Sequence, residues 1–343
     1  MKAAAIQQHG GVEAIEILDL PEPAPRAGEV VLAVRAAALN HLDVWVRQGG
    51  RVDIPMPHVL GSDAAGTVAA VGKGVESVAV GDEVVLSPGM SCGACPHCRR
   101  GEDSVCANFQ IIGLHTQGTF AEKVAVPAAN ALPKPPGLPF EEAAALPIAY
   151  VTAWRMLLTR ARLQPGERLL VHGVGGGVGT AGLQLGRLVG AEVIVTSSSD
   201  AKLAKARDLG AAHTINYRTA DVAAAVRERT DGQGVDVILD SVGAATWQTN
   251  FAAIRRGGRI VHCGVTTGAE ATVSIQDLYW NQVTVMGSTY GSRDDLHALL
   301  RALAATGTRP ALDSTFPLAQ ARAAARRMED AEQFGKIVLQ VGS

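Results

Sequence analysis

The stretch VHGVGGGVGTAG (171–182) decides the fold of the second half of this 343-residue chain. It follows RLLV, which has the composition of a buried strand, and leads into a helical pattern over residues 178–190. Closely spaced glycines allow a tight turn, and they let backbone N–H groups and the positive end of the helix approach a pyrophosphate. The pattern predicts a dinucleotide-binding loop that contacts its ligand through Gly175, Gly176, Gly177, Val178 and Gly179. The alternative is that these glycines serve only helix–sheet packing.

Strands and helices alternate after this loop. EVIVT (192–196) reads as a second strand, and AKLAKARDLG (201–210) as a second helix closed by glycine. Further strands are expected at VDVILD (235–240), GRIVHCG (258–264) and VTVMGS (283–288). This alternation predicts a doubly wound parallel sheet of the Rossmann type.

The first 130 residues carry a different pattern, of short apolar runs opened by turn residues. GEVVLAVRAAALN (28–40) and GDEVVLS (81–87) are examples, and FGKIVLQ (334–340) reads as a last strand that returns to this region. We therefore expect an α/β protein with two domains. The β-rich domain is formed by residues 1–149 and 289–343, and the Rossmann domain by residues 150–288.

Composition excludes several classes of partner. A formal net charge of −2 gives no reason to expect nucleic acid or an anionic membrane surface as the partner. No apolar run approaches the roughly 18 residues that a membrane-spanning helix needs. The N-terminal MKAAAIQQHGG has no apolar stretch of signal-peptide length, so a cytoplasmic location is expected.

Four of the five cysteines stand close together, with the spacing C-x2-C-x2-C-x7-C. Thiolates this close can converge on a tetrahedral ion, and a closed set of four sulfurs leaves no position for water or substrate. The pattern predicts one structural zinc per subunit, bound by Cys92, Cys95, Cys98 and Cys106. Unmetallated surface cysteines are the alternative, and His97 inside the loop is expected to be solvated.

The end of the second strand bears on the choice of cofactor. Sites for NAD usually carry an acidic residue there, which accepts hydrogen bonds from the ribose hydroxyls. This chain has hydroxyl residues instead, and Asp200 comes late enough to be a helix cap. Ser197 and Ser199, with Lys202 nearby, would tolerate a 2′-phosphate. NADP(H) is therefore favoured over NAD(H), with Lys202 as an ordinary solvated residue left open.

Together these motifs resemble those of the medium-chain dehydrogenase/reductase superfamily over essentially the whole chain. The resemblance implies a GroES-like catalytic domain with a zinc lobe at residues 88–108, followed by the Rossmann domain and a return to the catalytic domain. The GGGVG loop and ALNHLDVWVRQG (38–49) resemble the quinone oxidoreductase branch. That branch generally lacks the cysteine lobe, so the chain mixes features of two branches.

The resemblance also implies where a catalytic zinc would be bound in zinc alcohol dehydrogenases. Those positions hold Asn40, then Ser62 and Asp63, then Ile148. An amide, a hydroxyl and an alkyl group thus replace three ligands, so a catalytic zinc is not expected. The nearby His41, His58 and His115 leave a rebuilt metal site open.

The resemblance assigns softer roles to other residues. Asp43 corresponds to an aspartate beside the catalytic cleft, and Trp45 stands where many quinone reductases have tyrosine, so the proton donor is unidentified. His115 is a candidate because it follows the cysteine lobe. Arg47 or Arg51 could contact phosphate but more closely resemble solvated surface charges. The positions expected to contact the cofactor are His41, Tyr217, Asp240, Cys263, Ser288 and Tyr290.

These observations predict an enzyme that transfers hydride between NADP(H) and a small quinone, activated C=C or carbonyl substrate. Asn40, Ser62 and His115 are candidate hydrogen-bond donors to the developing negative charge. A zinc-dependent alcohol dehydrogenase and a non-catalytic NADPH-binding protein are the alternatives. A homodimer or homotetramer is expected, because VTVMG (283–287) reads as an exposed edge strand.

Overall fold

The computed structural model describes residues 1–50 and 52–342, and the chain divides into two compact units. The first unit comprises Met1–Val151 together with Gly291–Ser343. The central unit is Thr152–Tyr290. Arg51 lies outside the described residues, so its suggested phosphate contact stays a prediction.

The N-terminal part of the first unit consists mostly of short strands with three helices. Its strands are β1 Lys2–Ile6, β2 Ile15–Asp19, β3 Glu29–Ala38, β4 His58–Val59, β5 Asp63–Val71, β6 Glu83–Leu86, β7 Gly89–Met90, β8 Gln110–Ile111, β9 Lys123–Pro127 and β10 Ala131–Pro133. Its helices are α1 His41–Gln48, α2 Phe140–Ala144 and α3 Pro147–Trp154, the last of which runs into the central unit.

The central unit alternates strands and helices as the sequence predicts. After a π-helical segment at Arg155–Arg160, the elements are β11 Arg168–Val171, α4 Gly177–Val189, β12 Glu192–Ser197, α5 Asp200–Asp208, β13 His213–Asn216, α6 Val222–Arg229, β14 Val235–Asp240, α7 Ala244–Ala253, β15 Ile254–His262, α8 Ile275–Trp280 and β16 Thr284–Gly287. The six strands are parallel, in the order β13-β12-β11-β14-β15-β16. This is the doubly wound Rossmann order, whose direction reverses between β11 and β14.

The C-terminal part of the first unit adds α9 Arg293–Thr306, β17 Leu312–Pro317, α10 Ala321–Glu329 and β18 Lys336–Gln340. Strand β18 pairs antiparallel with β3 and parallel with β17. The last strand therefore returns to the sheet of the first unit, as its sequence predicted. It joins the path β10-β6-β5-β3-β18-β17, and β9 also pairs with β3.

Glycines allow two strands of the first unit, and a helix and a strand of the central unit, to pack closely together. A Cβ atom at Gly66 on β5 would lie 2.1 Å from the carbonyl oxygen of Ala33 on β3. A Cβ atom at Gly186 on α4 would lie 2.7 Å from the Leu169 side chain of β11. Helix α4 thus packs tightly on β11 at Gly186. None of the helices formed by the described residues is long and apolar enough to cross a membrane.

Candidate active site and metal centre

The four clustered cysteines converge in space. Their sulfur atoms all lie within 4.8 Å of one another, with Cys92–Cys98 at 3.9 Å, Cys95–Cys98 at 3.4 Å and Cys92–Cys106 at 3.5 Å. Tetrahedral zinc with Zn–S bonds of about 2.3 Å requires sulfur–sulfur separations of roughly 3.8 Å. The donor set and its spacing therefore fit one tetrahedral zinc.

Backbone N–H groups donate hydrogen bonds to three of these sulfurs. The amides of Cys92, Cys95 and Cys98 donate to the sulfurs of Cys106, Cys92 and Cys95 at 3.4–3.5 Å. Hydrogen bonds from backbone amides, that of Ala94 first, lower the pKa of Cys92 to about 6, whereas burial and the neighbouring cysteines raise the pKa of Cys106 to about 11. His97 is exposed beside the cluster and contacts Arg100, as expected for a loop residue.

A buried carboxylate fastens this lobe to the rest of the first unit. Asp103 accepts a hydrogen bond from Ser91 at 3.0 Å and another from the Arg293 side chain at 3.2 Å. Arg293 is the first residue of α9, so the lobe is tied to a helix nearly 200 residues along the chain. Asp103 therefore holds the cysteine lobe to α9.

The glycine-rich loop lies in the central unit between β11 and α4. Gly176 is the N-cap of α4, and Gly177 is its first residue. A Cβ atom at Gly179 would lie 2.4 Å from the carbonyl oxygen of Gly173, so no side chain fits there without moving the backbone. Val178 lies in the same first turn. The loop therefore presents backbone N–H groups at a helix N-terminus, beside the point where the strand order reverses.

The second strand of the sheet ends on hydroxyl groups. Ser197 is buried and accepts a hydrogen bond from the amide of Ser199 at 3.2 Å, and the amide of Tyr217 donates to the Ser197 carbonyl. Tyr217 is exposed. The helix cap is a correction to the sequence analysis: Ser199, not Asp200, caps α5, by accepting from the Lys202 amide. Asp200 instead accepts a hydrogen bond from Asn216 at 2.8 Å.

Asp240 stands at the carboxyl end of β14 and is fully buried. Its Oδ1 accepts from the amide of Val242 at 2.7 Å, and its Oδ2 from the Thr246 hydroxyl at 2.7 Å. Burial opposes ionisation, but the polar groups around it, His262 first among them, hold the pKa of Asp240 well below its usual range. Asp240 is thus an anion that organises the loop after β14.

The three residues expected near the nicotinamide lie beyond the next two strands. Cys263 is buried directly after β15, where burial raises the pKa of its thiol to about 12. The amide of Ser288 donates to the carbonyl of His262 at 2.9 Å, and the Ser288 hydroxyl is buried without a hydrogen-bond partner. Tyr290 is buried at the end of the central unit.

A buried ion pair occupies the region of the first unit where the resemblance placed catalytic ligands. The Lys336 ammonium donates to Asn40 Oδ1 at 2.6 Å and to Asp63 Oδ2 at 3.1 Å. Asn40 Nδ2 in turn donates to Asp63 Oδ2 at 2.8 Å and, more weakly, to the carbonyl of Ala38 at 3.4 Å. Both amide hydrogens of Asn40 are therefore used inside the protein, so Asn40 positions its neighbours and has no free donor for a substrate.

Asp63 pairs directly with this ammonium, and Asp43 lies close enough for the Lys336 charge to lower its pKa. Burial raises the pKa of Asp63, and the Lys336 charge together with hydrogen bonds from Asn40 and from the Ile148 backbone amide at 2.8 Å opposes that rise. Asp43 Oδ2 accepts from the Asn40 amide at 2.8 Å. Burial raises the pKa of Asp43 to about 7. Burial and the nearby Asp63 carboxylate both favour the protonated form of Asp43.

Ser62 and the loop of His115 come together beside this network. The Ser62 hydroxyl is buried and has no hydrogen-bond partner. A Cβ atom at Gly113, in the His115 loop, would lie 3.1 Å from that hydroxyl. His115 is exposed, and its Nδ1 accepts from the Ile111 amide at 3.0 Å, so its proton is on Nε2. Among the predicted donors, Ser62 and His115 therefore keep free hydrogen-bonding capacity.

Helix α1 carries the remaining predicted residues. His41 is exposed at its first turn and packs edge-on against Trp45, with ring centroids 5.6 Å apart. The expectation that Arg47 is a solvated surface charge is wrong. Its side chain is 1% exposed, ion-paired with Glu329 on α10, and donates to the Gly10 carbonyl. It ties two helices together because a buried guanidinium must be paired.

Two groups of functional interest were not recognised from the sequence, the Lys336 ammonium and a polar chain near the glycine loop. Lys336 was read only as part of a strand, although a lysine inside FGKIVLQ signals a buried charge that needs a partner. His58, named from the sequence only as a possible metal ligand, is buried, donates from Nε2 to the Gly113 carbonyl at 3.0 Å, and leaves Nδ1 without a hydrogen-bond partner. His172, Thr196 and Asn250 form a buried hydrogen-bond chain near the glycine loop.

Comparisons with known proteins agree with this architecture. The family model described as an alcohol dehydrogenase GroES-like domain matches residues 26–136, and the one described as a zinc-binding dehydrogenase matches residues 177–305. A crystal structure of an NAD-dependent alcohol dehydrogenase is 44% identical, with a TM-score of 0.95 and complete coverage of both chains.

The chain belongs to the medium-chain dehydrogenase/reductase superfamily. An NAD-dependent alcohol dehydrogenase of Sulfurisphaera tokodaii is 30% identical, over 95% of this chain and 96% of its own length. A crotonyl-CoA carboxylase/reductase structure is 28% identical with a TM-score of 0.92, covering 99% of this chain and 88% of the other. As a member of this superfamily, the protein is an NAD(P)-dependent oxidoreductase that binds zinc and a nicotinamide cofactor.

Proposed function

We propose that this enzyme reduces a small quinone, activated C=C or activated carbonyl substrate with NADP(H), and that its only zinc is the structural ion of the cysteine lobe. The observation that carries the proposal is the Lys336 ammonium, which is bonded to both Asn40 and Asp63. These are two of the positions at which a zinc alcohol dehydrogenase would hold its catalytic metal.

The residues in this region do not fit a zinc ion. Asn40 and Asp63 are already bonded to a cation and to each other, Ser62 offers a neutral hydroxyl, and Ile148 offers an alkyl group. A divalent ion 4 Å from an ammonium would be repelled by on the order of 8 kcal/mol at an effective dielectric constant of 20. Within residues 1–50 and 52–342, the cysteine lobe alone brings three or more metal-binding side chains together.

Without a Lewis acid, a conjugated acceptor suits this site better than a simple alcohol. The bound nicotinamide supplies the hydride. Conjugation spreads the charge that develops on the acceptor, and the unpartnered Ser62 hydroxyl can donate a hydrogen bond to it. Asp43, with its pKa raised to about 7, holds a proton near neutral pH inside the same network. It is our candidate for the proton store that the sequence left unidentified.

The preference for NADP(H) rests on the end of β12. No carboxylate stands on Ser197 or Ser199, and the neighbouring Asp200 is bonded to Asn216. NAD sites usually have an acidic residue at this position, which accepts hydrogen bonds from the ribose hydroxyls, and this chain has no such residue there. Tyr217 and Lys202 flank the same strand end. The two relatives named above as NAD-dependent make the opposite preference the direct competitor.

A second copy of the chain is the expected partner. Strand β16 forms one edge of the six-stranded sheet, and Val285 on it is exposed. Helix α8 just before it exposes three large apolar side chains, Ile275, Tyr279 and Trp280. An unpaired edge strand beside an apolar patch suits pairing with another subunit, which gives a homodimer and, by a second contact, a homotetramer. A cytoplasmic location stays a prediction.

Alcohol dehydrogenase activity is the second candidate, because several relatives carry that name, among them the structure that is 44% identical. A non-catalytic NADPH-binding protein is the third. Two series of stopped-flow experiments separate them: the enzyme is mixed with NADPH and a panel of quinones, enones and aldehydes, and then with NAD⁺ and a panel of alcohols. We expect NADPH oxidation with the conjugated acceptors. Oxidation of alcohols by NAD⁺ alone would support the second candidate, and cofactor binding without turnover would support the third.

A further inference from the structure

The buried polar chain beneath the glycine loop has a single direction of hydrogen-bond donation. Asn250 Nδ2 donates to Asp240 Oδ2 at 2.5 Å, because an ionised carboxylate can only accept. The Asn250 carbonyl oxygen must then accept, so His172 Nε2 donates to it at 2.8 Å. Burial lowers the pKa of His172, so the ring is neutral and its Nδ1 is an acceptor.

The chain continues from His172 to the loop itself. His172 Nδ1 accepts from the Thr196 hydroxyl at 3.4 Å, and the same hydroxyl oxygen accepts from the amide of Gly173 at 3.2 Å. Gly173 is the first glycine after β11, with φ of +66°, and its carbonyl lies against Gly179. Every link from Gly173 to Asp240 therefore points the same way, towards one buried negative charge.

Asp240 also holds the loop that follows β14. Its Oδ1 accepts from the amides of Val242 and Gly243 at 2.7 and 3.4 Å. The Val242 side chain would lie 3.8 Å from a Cβ atom at Gly173, so the two loops are neighbours. They follow β11 and β14, the strands between which the sheet order reverses and ligands bind in folds of this kind.

We propose that this hydrogen-bond chain makes Thr196, His172 and Asn250 positioning residues for the cofactor, with the Asp240 carboxylate fixing both loops at once. The proposal rests on cofactor binding at the glycine loop. None of the three side chains needs to touch the cofactor. Together they set the conformation of Gly173, and through its contact with Gly179 the conformation of the loop whose amides face the pyrophosphate.

Thr196→Val tests the chain with little change in shape. It removes the hydroxyl that connects Gly173 to His172, and we expect the dissociation constants for NADPH and NADH to rise about tenfold, since small displacements of a binding group carry losses of this size. The turnover number at saturating cofactor should stay within about twofold of wild type. Thr196→Ser keeps the hydroxyl, so its affinity for the cofactor should stay close to that of the wild type.

Thr230→Val is the matched control. Thr230 is also buried, its hydroxyl accepts from a glycine amide, that of Gly234, at 2.8 Å, and it lies at the opposite, N-terminal end of β14. The Thr230→Val variant should have a lower melting temperature, as Thr196→Val does, but an unchanged affinity for the cofactor. Asn250→Leu cuts the chain at its far end and should weaken cofactor binding in the same direction as Thr196→Val.

Binding is measured by the fluorescence of the reduced cofactor without substrate, so the test does not depend on turnover. The positioning role would be overturned by any of three results: unchanged cofactor affinity in Thr196→Val, an affinity in Thr196→Ser as low as in Thr196→Val, or an equal loss of affinity in Thr230→Val. Failure of the wild type to bind either cofactor would overturn the cofactor site itself, and the positioning role with it. Cofactor binding without turnover of any acceptor would contradict the proposed reaction and leave the chain's role intact.

Discussion

The Lys336 ammonium lies 3.1 Å from the Asp63 carboxylate, and both side chains are almost completely shielded from solvent. The two residues begin strands β5 and β18 and lie 273 positions apart in the sequence. Breaking such a pair from one side leaves a buried charge without compensation, which costs far more than an exposed pair contributes. Removing one partner of the pair should therefore be costly, and the pair lies in the region where zinc alcohol dehydrogenases would hold a catalytic metal.

Lys336→Met should destabilise the protein by about 3–5 kcal/mol, because Asp63 would have to stay buried as an unpaired charge or take up a proton, and either outcome loses the ion pair. Equilibrium unfolding in urea measures the loss. Arg47→Met is the control, since its partner Glu329 is partly exposed and can be solvated, and it should cost less. Adding Asp63→Asn to Lys336→Met should recover much of the stability. A loss below about 1 kcal/mol in Lys336→Met would contradict the buried ion pair.

Asp43→Asn should change how stability depends on pH. The folded-state pKa of Asp43 is raised from 3.8 to about 7, so between these values the native state binds a proton that the unfolded state has released. The wild type should therefore lose stability as pH rises from about 4 to 7, by roughly 3–4 kcal/mol from this group.

The asparagine variant does not lose a proton and lacks this component. The unfolding free energy of Asp43→Asn minus that of the wild type should therefore increase as pH rises from about 4 to 7, and should stay constant above about pH 7. Urea unfolding at a series of pH values measures this difference. A difference that does not vary with pH would show that Asp43 titrates normally.

Ser197→Asp should shift the preference towards NAD(H), because a carboxylate at the end of β12 repels a 2′-phosphate and accepts ribose hydroxyls. We expect the ratio of kcat/KM for NADPH to that for NADH to fall at least tenfold, about 1.4 kcal/mol. Lys202→Ala should weaken NADPH binding and spare NADH. A wild type that already prefers NADH by more than tenfold would contradict our interpretation of this strand end.

Light scattering should show a dimer or tetramer at micromolar concentration. Trp280→Glu places a charge on the exposed face of α8 beside β16 and should shift the protein towards the monomer. Val80→Glu changes an equally exposed valine far along the sequence and should leave the assembly unchanged. A wild-type monomer, or equal effects of the two substitutions, would argue against an interface at this edge.

The local patterns of this sequence predicted more than its long-range pairings could. The strand–glycine loop–helix order around residues 168–190 and the cysteine spacing each depend on residues close in sequence, and both were recovered. Lys336 and Asp63 are 273 residues apart, so no spacing rule joins them. Arg47 was misread for the same reason, because its partner Glu329 lies on a helix near the other end of the chain.

The polar chain beneath the glycine loop was missed for a different reason. Thr196 and His172 lie at the ends of neighbouring strands, and Asn250 lies on a helix packed against them. Each residue reads as ordinary in its own element. Their relation appears only when the parallel sheet brings the carboxyl ends of its strands to one edge.

The zinc content of the freshly purified enzyme tests the central claim most directly. Four thiolates fit one closed site, and Lys336 occupies the region of the other. Elemental analysis should therefore give one zinc per subunit. Cys98→Ser should lower both zinc content and thermal stability, because structural zinc contributes directly to folding. Two tightly bound zinc ions per subunit, or a Cys98→Ser variant whose one remaining zinc is essential for turnover, would contradict the account and restore the zinc-dependent alcohol dehydrogenase.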